Sequence, residues 1–144
     1  MLFKRLNRTD AERVFVVMQA NAAGIAADDV VQLELTAASV DGVKVIQPAT
    51  ANLLATVGVA DAAIANGAYG LVQVYGYRST SRIGPTDSTQ TSLGQALTPV
   101  AGQDYFSTIT SLSMNGTPIA ILLESLTTGT SSNTVSKKIF LRCM

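Results

Sequence analysis

Histidine is absent from this sequence, and cysteine occurs once, as Cys143. That removes the most versatile acid–base side chain and the commonest ligands of zinc. Ten carboxylates, one thiol and many Ser and Thr hydroxyls remain. Asp28-Asp29 and Asp87 fall in loop-like stretches, where a hard cation would find oxygen ligands. Adjacent loop acids more commonly serve as solvated turn residues. Two carboxylates can hydrolyse a glycoside without histidine, but such a site needs a sugar cleft, and the chain has no Trp to line one. Glu34 and Glu124 lie in strand-like stretches, and Glu34 falls on a polar phase that predicts exposure. Cys143 stands beside Arg142, which favours a lowered thiol pKa, yet no base accompanies it. Neither G-x-x-x-x-G-K nor G-x-G-x-x-G occurs, so no phosphate-cradling loop is indicated. The residues predict no catalytic site, no cofactor and no metal.

The elements that would position these groups read as strands. In ERVFVVMQA, Thr9 and Glu12 have the spacing of a helix-capping box, but Val14, Phe15, Val16 and Val17 favour a strand. VVQLELTA alternates, with Val31, Leu33 and Leu35 on one face and Gln32, Glu34 and Thr36 on the other. Asp41-Gly42 is a turn signal before a short strand, Val43 to Ile46, which Pro48 ends. Leu53 to Val59 predicts another strand. Ala60 to Ala65 then predicts a compact loop that tucks Ile64 under the sheet, with Asn66-Gly67 reversing the chain.

From Leu71 to Tyr77, Val72 and Val74 share one face, opposite Leu71, Gln73, Tyr75 and Tyr77. With Tyr69 these tyrosines make a row suited to an interface, since each has an apolar body and a polar tip. Ala96 to Ala101, Tyr105 to Leu112, Ile119 to Leu123 and Lys138 to Cys143 are further strand candidates. The polar stretches 79–94 and 125–136 read as long loops. About eight short strands without a durable helical period predict an all-β fold, a compact antiparallel barrel or sandwich. Its core should hold Val31, Leu33, Leu35, Val72 and Val74.

At 144 residues the chain is long enough for one domain. The expected division is an N-terminal arm over residues 1–10 and a single β domain over 11–144. Only 14% of residues are charged and the net charge is zero, while 47% are apolar. Either Ser, Thr and Asn solubilise the surface, or apolar surface faces another chain. Lys4, Arg5, Arg8 and Arg13 crowd one end, and no basic residue lies between Ile83 and Ser136. Nucleic-acid binding fits that distribution poorly. MLFKRLNRTD lacks the apolar core of a signal peptide, and no apolar run reaches the length of a spanning helix. A chain made in a reducing cytoplasm, without membrane or nucleic-acid partners, is the expectation.

AERVFVVMQANAAGIAADDVV and VGVADAAIANGAYGLVQVYG resemble, in that order, two segments of small structural proteins of tailed-phage heads. The second is similar to the stretch G-V-A-x-x-x-I-x-x-G-x-Y-G-x-V-Q-x-x-G, matched at Gly58, Val59, Ala60, Ile64, Gly67, Tyr69, Gly70, Val72, Gln73 and Gly76. The closing KKIFLRCM resembles a terminal strand of the same family, and the matches touch about half the chain. The Ser/Thr-rich middle departs from the pattern. The resemblance is to capsid decoration, or cement, proteins. It implies a virion structural protein on the capsid surface, bound to the major capsid protein and to copies of itself as a dimer or trimer. The interface residues it suggests are Lys4, Arg5, Arg8 and Arg13 of an arm that orders on contact, together with Tyr69, Tyr75 and Tyr77. The alternatives are another virion component, such as a head fibre, tail-tube or minor capsid subunit, or a β-barrel module for a small ligand or carbohydrate.

Overall fold

Branched and aromatic side chains lose rotamer freedom in a helix and pack well on a pleated surface. Arg13–Ala20, which contains Val14 to Val17, accordingly forms a strand, β1. The computed structural model describes residues 12–21, 23–36, 41–49, 53–84, 92–108, 118–125 and 134–143. The other strands are β2 (Val30–Leu33), β3 (Lys44–Ile46), β4 (Thr56–Ala60), β5 (Tyr69–Arg78) and β6 (Arg82–Ile83), then β7 (Ala96–Pro99), β8 (Phe106–Thr108), β9 (Ala120–Leu122), β10 (Val135–Ser136) and β11 (Ile139–Arg142). One 3-10 turn, Leu53–Ala55, is the only helical element among the described residues.

The fold is all-β, as expected, and its first five strands close a barrel in the order β1, β3, β2, β4, β5. β5 makes the closure possible. One of its edges pairs with β1 from Tyr69 to Gly76. The other pairs with β4 at Val72 and Gln73, and then with β11 from Tyr75 to Arg78. Where β11 joins, the sheet leaves the barrel and continues as a wing in the order β11, β9, β7, β8, β6, β10. Two pairings, β1 with β3 and β6 with β8, are parallel, a departure from the antiparallel expectation. A closed ring of five strands cannot alternate in direction throughout, and β1 with β3 is the pair that runs parallel.

Two apolar cores share the barrel wall. Met18, Ala20, Ile25, Val31, Val45, Ala60, Ile64, Val72 and Val74 fill the barrel. Val30 and Val59 face the other way and join Ile83, Leu97, Phe106, Leu122, Ile139 and Leu141 under the wing. Removing one such large side chain fully from water contributes about 1.5–3 kcal/mol. β2 and β4 are therefore covered on both sides. Alternation alone misjudges such strands.

Val31, Val72 and Val74 lie in the core as expected. Leu33 is only half-buried, at the edge of the barrel core. Leu35 is 41% exposed, because the strand ends at Leu33 and the alternation does not continue to it. On the phase read as solvent-facing, Gln32 and Glu34 are buried. A register shift between Val31 and Gln32 accompanies this change.

The turn readings hold where they can be compared. Gly67 has φ of 75° and Gly42 φ of 71°, the left-handed region that glycine enters without a side-chain clash. Asp41 Oδ1 accepts the Val43 and Lys44 backbone N–H groups, which fixes its turn. Ile64 is buried and bridges Ile25, as the tucked-loop reading expects. β6 and β10 fall in the stretches read as loops. Each is two residues long and pairs with the other across about fifty positions of sequence, so nothing local marks them.

Candidate functional site

The strand-end loops bring the carboxylates to the joint between barrel and wing. Asp28, Asp29 and Asp61 all follow or precede a barrel strand, and two arginines from the C-terminal side of β5 reach them. Arg78 donates from Nη2 to Asp28 Oδ1 at 2.6 Å and to the Ala60 carbonyl at 2.8 Å. Its Nη1 donates to Asp61 Oδ1 and Gln73 Oε1, each at 3.2 Å. Gln73 in turn donates to the Tyr75 and Tyr77 carbonyls. Arg82 donates to Asp29 Oδ1 at 2.9 Å and to Asp104, on the approach to β8. Asp29 Oδ2 also accepts the Ala26 N–H at 2.8 Å. Burial pushes the Asp29 carboxyl above its ordinary pKa, while the bonds from Ala26 and Arg82 oppose the shift.

The Asp28-Asp29 pair considered for a loop cation is thus engaged by guanidinium groups. Among the described residues, no group of three His, Cys, Asp or Glu is placed to hold a metal ion. Asp87 lies outside the described residues. The fork of Arg78 ties three segments together, the Asp28 loop, the end of β4 at Ala60 and Asp61, and β5 itself, a role the sequence reading missed; its one signal was a lone arginine ending an apolar strand.

The expected low pKa of Cys143 is overturned. Its side chain packs against the wing core, and burial pushes the thiol up to about 12. The neighbouring Arg142 is on the exposed face of β11. Alternation along a strand sends adjacent side chains to opposite faces, so a sequence neighbour is a poor electrostatic partner.

The interface candidates separate into two places. Lys4, Arg5 and Arg8 lie outside the described residues. Arg13 begins β1, exposed and opposite Gly76, and so stands at the end of β5 that carries Tyr75 and Tyr77. Those two tyrosines are half-buried. The Tyr75 ring packs edge-on against Phe140, with centroids 5.3 Å apart, and also touches the barrel core. The tyrosines therefore do not form one row. The partners of Val14 and Phe15 are Tyr75 and Gln73, so Val74 is an extra residue in β5 and the alternation shifts there. Tyr69 lies six residues earlier, roughly 20 Å along the strand.

Around Tyr69 the structure assembles a surface of which the sequence points only to Tyr69. Val17 pairs with Leu71, and Gln19 with Tyr69, on the outer face of β1 and β5. Val17 is 61%, Leu71 48% and Tyr69 63% exposed. Gln19 Nε2 donates to the Gly67 carbonyl at 2.8 Å, which holds its side chain along the turn. The available signal was VFVV itself, apolar in both phases of the alternation, so one phase must face out.

A cleft of about 300 Å³ has Asn21, Ile25, Glu34, Ile46 and Gln47 in its lining. Glu34 Oε1 accepts the Thr36 N–H at 2.9 Å, and Oε2 has Asn21 Nδ2 at 3.5 Å. The Thr36 bond is the main cause that holds the Glu34 carboxyl below its ordinary pKa.

No family model matches the sequence, and no curated protein matches it. Among solved structures, the fold is similar to the crystal structure of the head fibre gp8.5 N base of bacteriophage phi29. The likeness has a TM-score of 0.53 at 14% identity and covers 91% of this chain and 96% of that one. What the two chains share at that identity is a fold.

Proposed function

We propose that this chain is a structural protein of a tailed-phage virion, and that it serves as a decoration protein bound to the outer surface of the major capsid shell. The observation that carries the reading is the end-to-end likeness to the base of a phage head fibre. It agrees with the resemblance of the Ala11–Val31 and Val57–Gly76 stretches to decoration proteins. The site geometry supports the same reading. The charged groups at the barrel–wing joint are engaged in holding the fold together, and packing against the wing core pushes the half-buried Cys143 thiol up in pKa. What faces outward instead is an apolar wall, Val17, Leu71 and Tyr69, on a sheet closed behind it. A rigid apolar platform suits adhesion to another protein surface, either the major capsid protein or a second copy in a dimer or trimer.

A head-fibre base is the second reading, and the same fold likeness favours it equally. The two differ in what stands on the capsid. Mass analysis of purified particles together with a density map distinguishes them. Hundreds of copies lying against the shell support decoration, whereas an elongated projection above each copy supports a fibre base. Absence of the protein from purified particles overturns both.

A further inference from the structure

We propose that the cleft beside Glu34 binds a primary alkylammonium group of the kind a lysine side chain presents, supplied by a neighbouring protein. The assignment concerns the chain's own cleft and stands whether or not the virion reading holds. At about 300 Å³ the cleft is at the small end of ligand sites and suits one side chain or a similar group. Its single ionisable lining residue is Glu34, 7% exposed.

No cation among the described residues balances that carboxylate. Lys44 follows Val45 in the register opposite Leu33 and accepts the Glu34 N–H on its backbone oxygen, but its ammonium lies 3.5 Å from Asp41. The Asn21 contact to Oε2, at 3.5 Å, is at the limit of a hydrogen bond. Hydrogen bonds, Thr36 foremost, keep this carboxylate in its charged form, and an incoming cation would meet a full negative charge with no counter-ion beside it.

The geometry selects the kind of cation. Thr36 occupies Oε1 and Oε2 has only the long Asn21 contact, so a compact, single-point donor can approach at Oε2. A guanidinium fork needs two parallel acceptors and is less well served. A calcium ion takes six or more oxygens, and only one carboxylate is present. An ammonium can also donate to the side-chain carbonyls of Asn21 and Gln47, while Ile25 and Ile46 flank its methylene stem.

Backbone-amide NMR titration of the full chain tests this, with Nα-acetyl-lysine N-methylamide as the probe. The arginine counterpart and 1,4-diaminobutane serve as comparators. The expected result is a saturable shift confined to the amides of Asn21, Gly24, Glu34 and Gln47, with millimolar affinity. Glu34→Gln should weaken it by about tenfold or more, the loss of one charge-assisted hydrogen bond. Ala23→Leu narrows the cleft at its rim without removing a hydrogen bond of the carboxylate, and should weaken binding as well. It decides the matter if Glu34→Gln fails to fold. No localised shift, or unchanged affinity in the folded variants, overturns the site. Tighter binding of the arginine compound overturns the ammonium assignment, and tighter binding of the diamine overturns the protein source.

Discussion

Arg78 shows how much one side chain can join. Its guanidinium bonds reach Asp28, Ala60, Asp61 and Gln73; on its loss Asp28 keeps the Thr80 hydroxyl and the Ala60 carbonyl keeps the Asp28 N–H, but both acids lose their cationic partner. Both acids keep partial access to water, which tempers the penalty. Arg78→Ala should therefore cost about 2–4 kcal/mol in denaturant unfolding, somewhat below the usual cost of breaking a fully buried pair. Asp61→Asn, at the more exposed partner, should cost less than about 1 kcal/mol. Equal losses in the two variants would mean that the clasp does not depend on Arg78. Cys143 makes a sharper case. Only the thiolate attacks a disulfide reagent, and a pKa of about 12 leaves roughly one thiol in ten thousand ionised at pH 8. Labelling of the native protein at pH 8 should be slower than that of the denatured chain by a hundredfold or more, and should accelerate as pH rises.

Strands and turns depend here on a few close approaches of backbone. Gly76 has φ of 98°, and a Cβ there would run into the Glu12 carbonyl, so Gly76→Ala strains the backbone and pushes β1 away. Gly42 has a positive φ but nothing near its missing Cβ. Gly42→Ala should cost about 1–2 kcal/mol and Gly76→Ala clearly more, as thermal melts of the two will show. At Gly70 the obstacle is a side chain, Ile64 Cγ1 at 2.5 Å. Gly70→Ala should destabilise the wild type by more than it destabilises an Ile64→Ala background; additivity in that double-mutant cycle would rule out the packing account. Val74→Asp places a charge in the barrel core and should leave the chain unfolded by circular dichroism.

For the whole molecule, the proposed attachment is mainly an apolar one. Burying the Val17–Leu71–Tyr69 wall contributes roughly 25 cal/mol per Å² before ordering costs, whereas each exposed ion pair from Lys4, Arg5, Arg8 or Arg13 adds only about 0.5 kcal/mol. Moderate salt should loosen the protein from particles only in part. Deleting residues 1–8 should weaken attachment more, and the Val17→Lys/Leu71→Glu pair, which sets opposite charges across the two strands, should do so with little change in melting temperature, since both side chains already face water. Complete release by salt alone would contradict an apolar interface.

Local chemistry in the sequence was enough to show an all-β chain, its main turns and much of its barrel core. Branched residues, Asn66-Gly67, Asp41-Gly42 and the alternation of Val72 with Val74 act over a few neighbouring positions. Tertiary structure alone decided the rest. The wing covers the outer side of β2 and β4, so Gln32 became buried although its phase is polar, and Leu35 fell beyond the end of its strand. An extra residue in β5 separated Tyr75 from the phase of Tyr69. The grip of Arg78 on Asp28 spans fifty positions, and the pairing of β6 with β10 spans about as many. Contacts of that range are set by how the sheet closes, and closure depends on every strand at once, so no local window of sequence contains it.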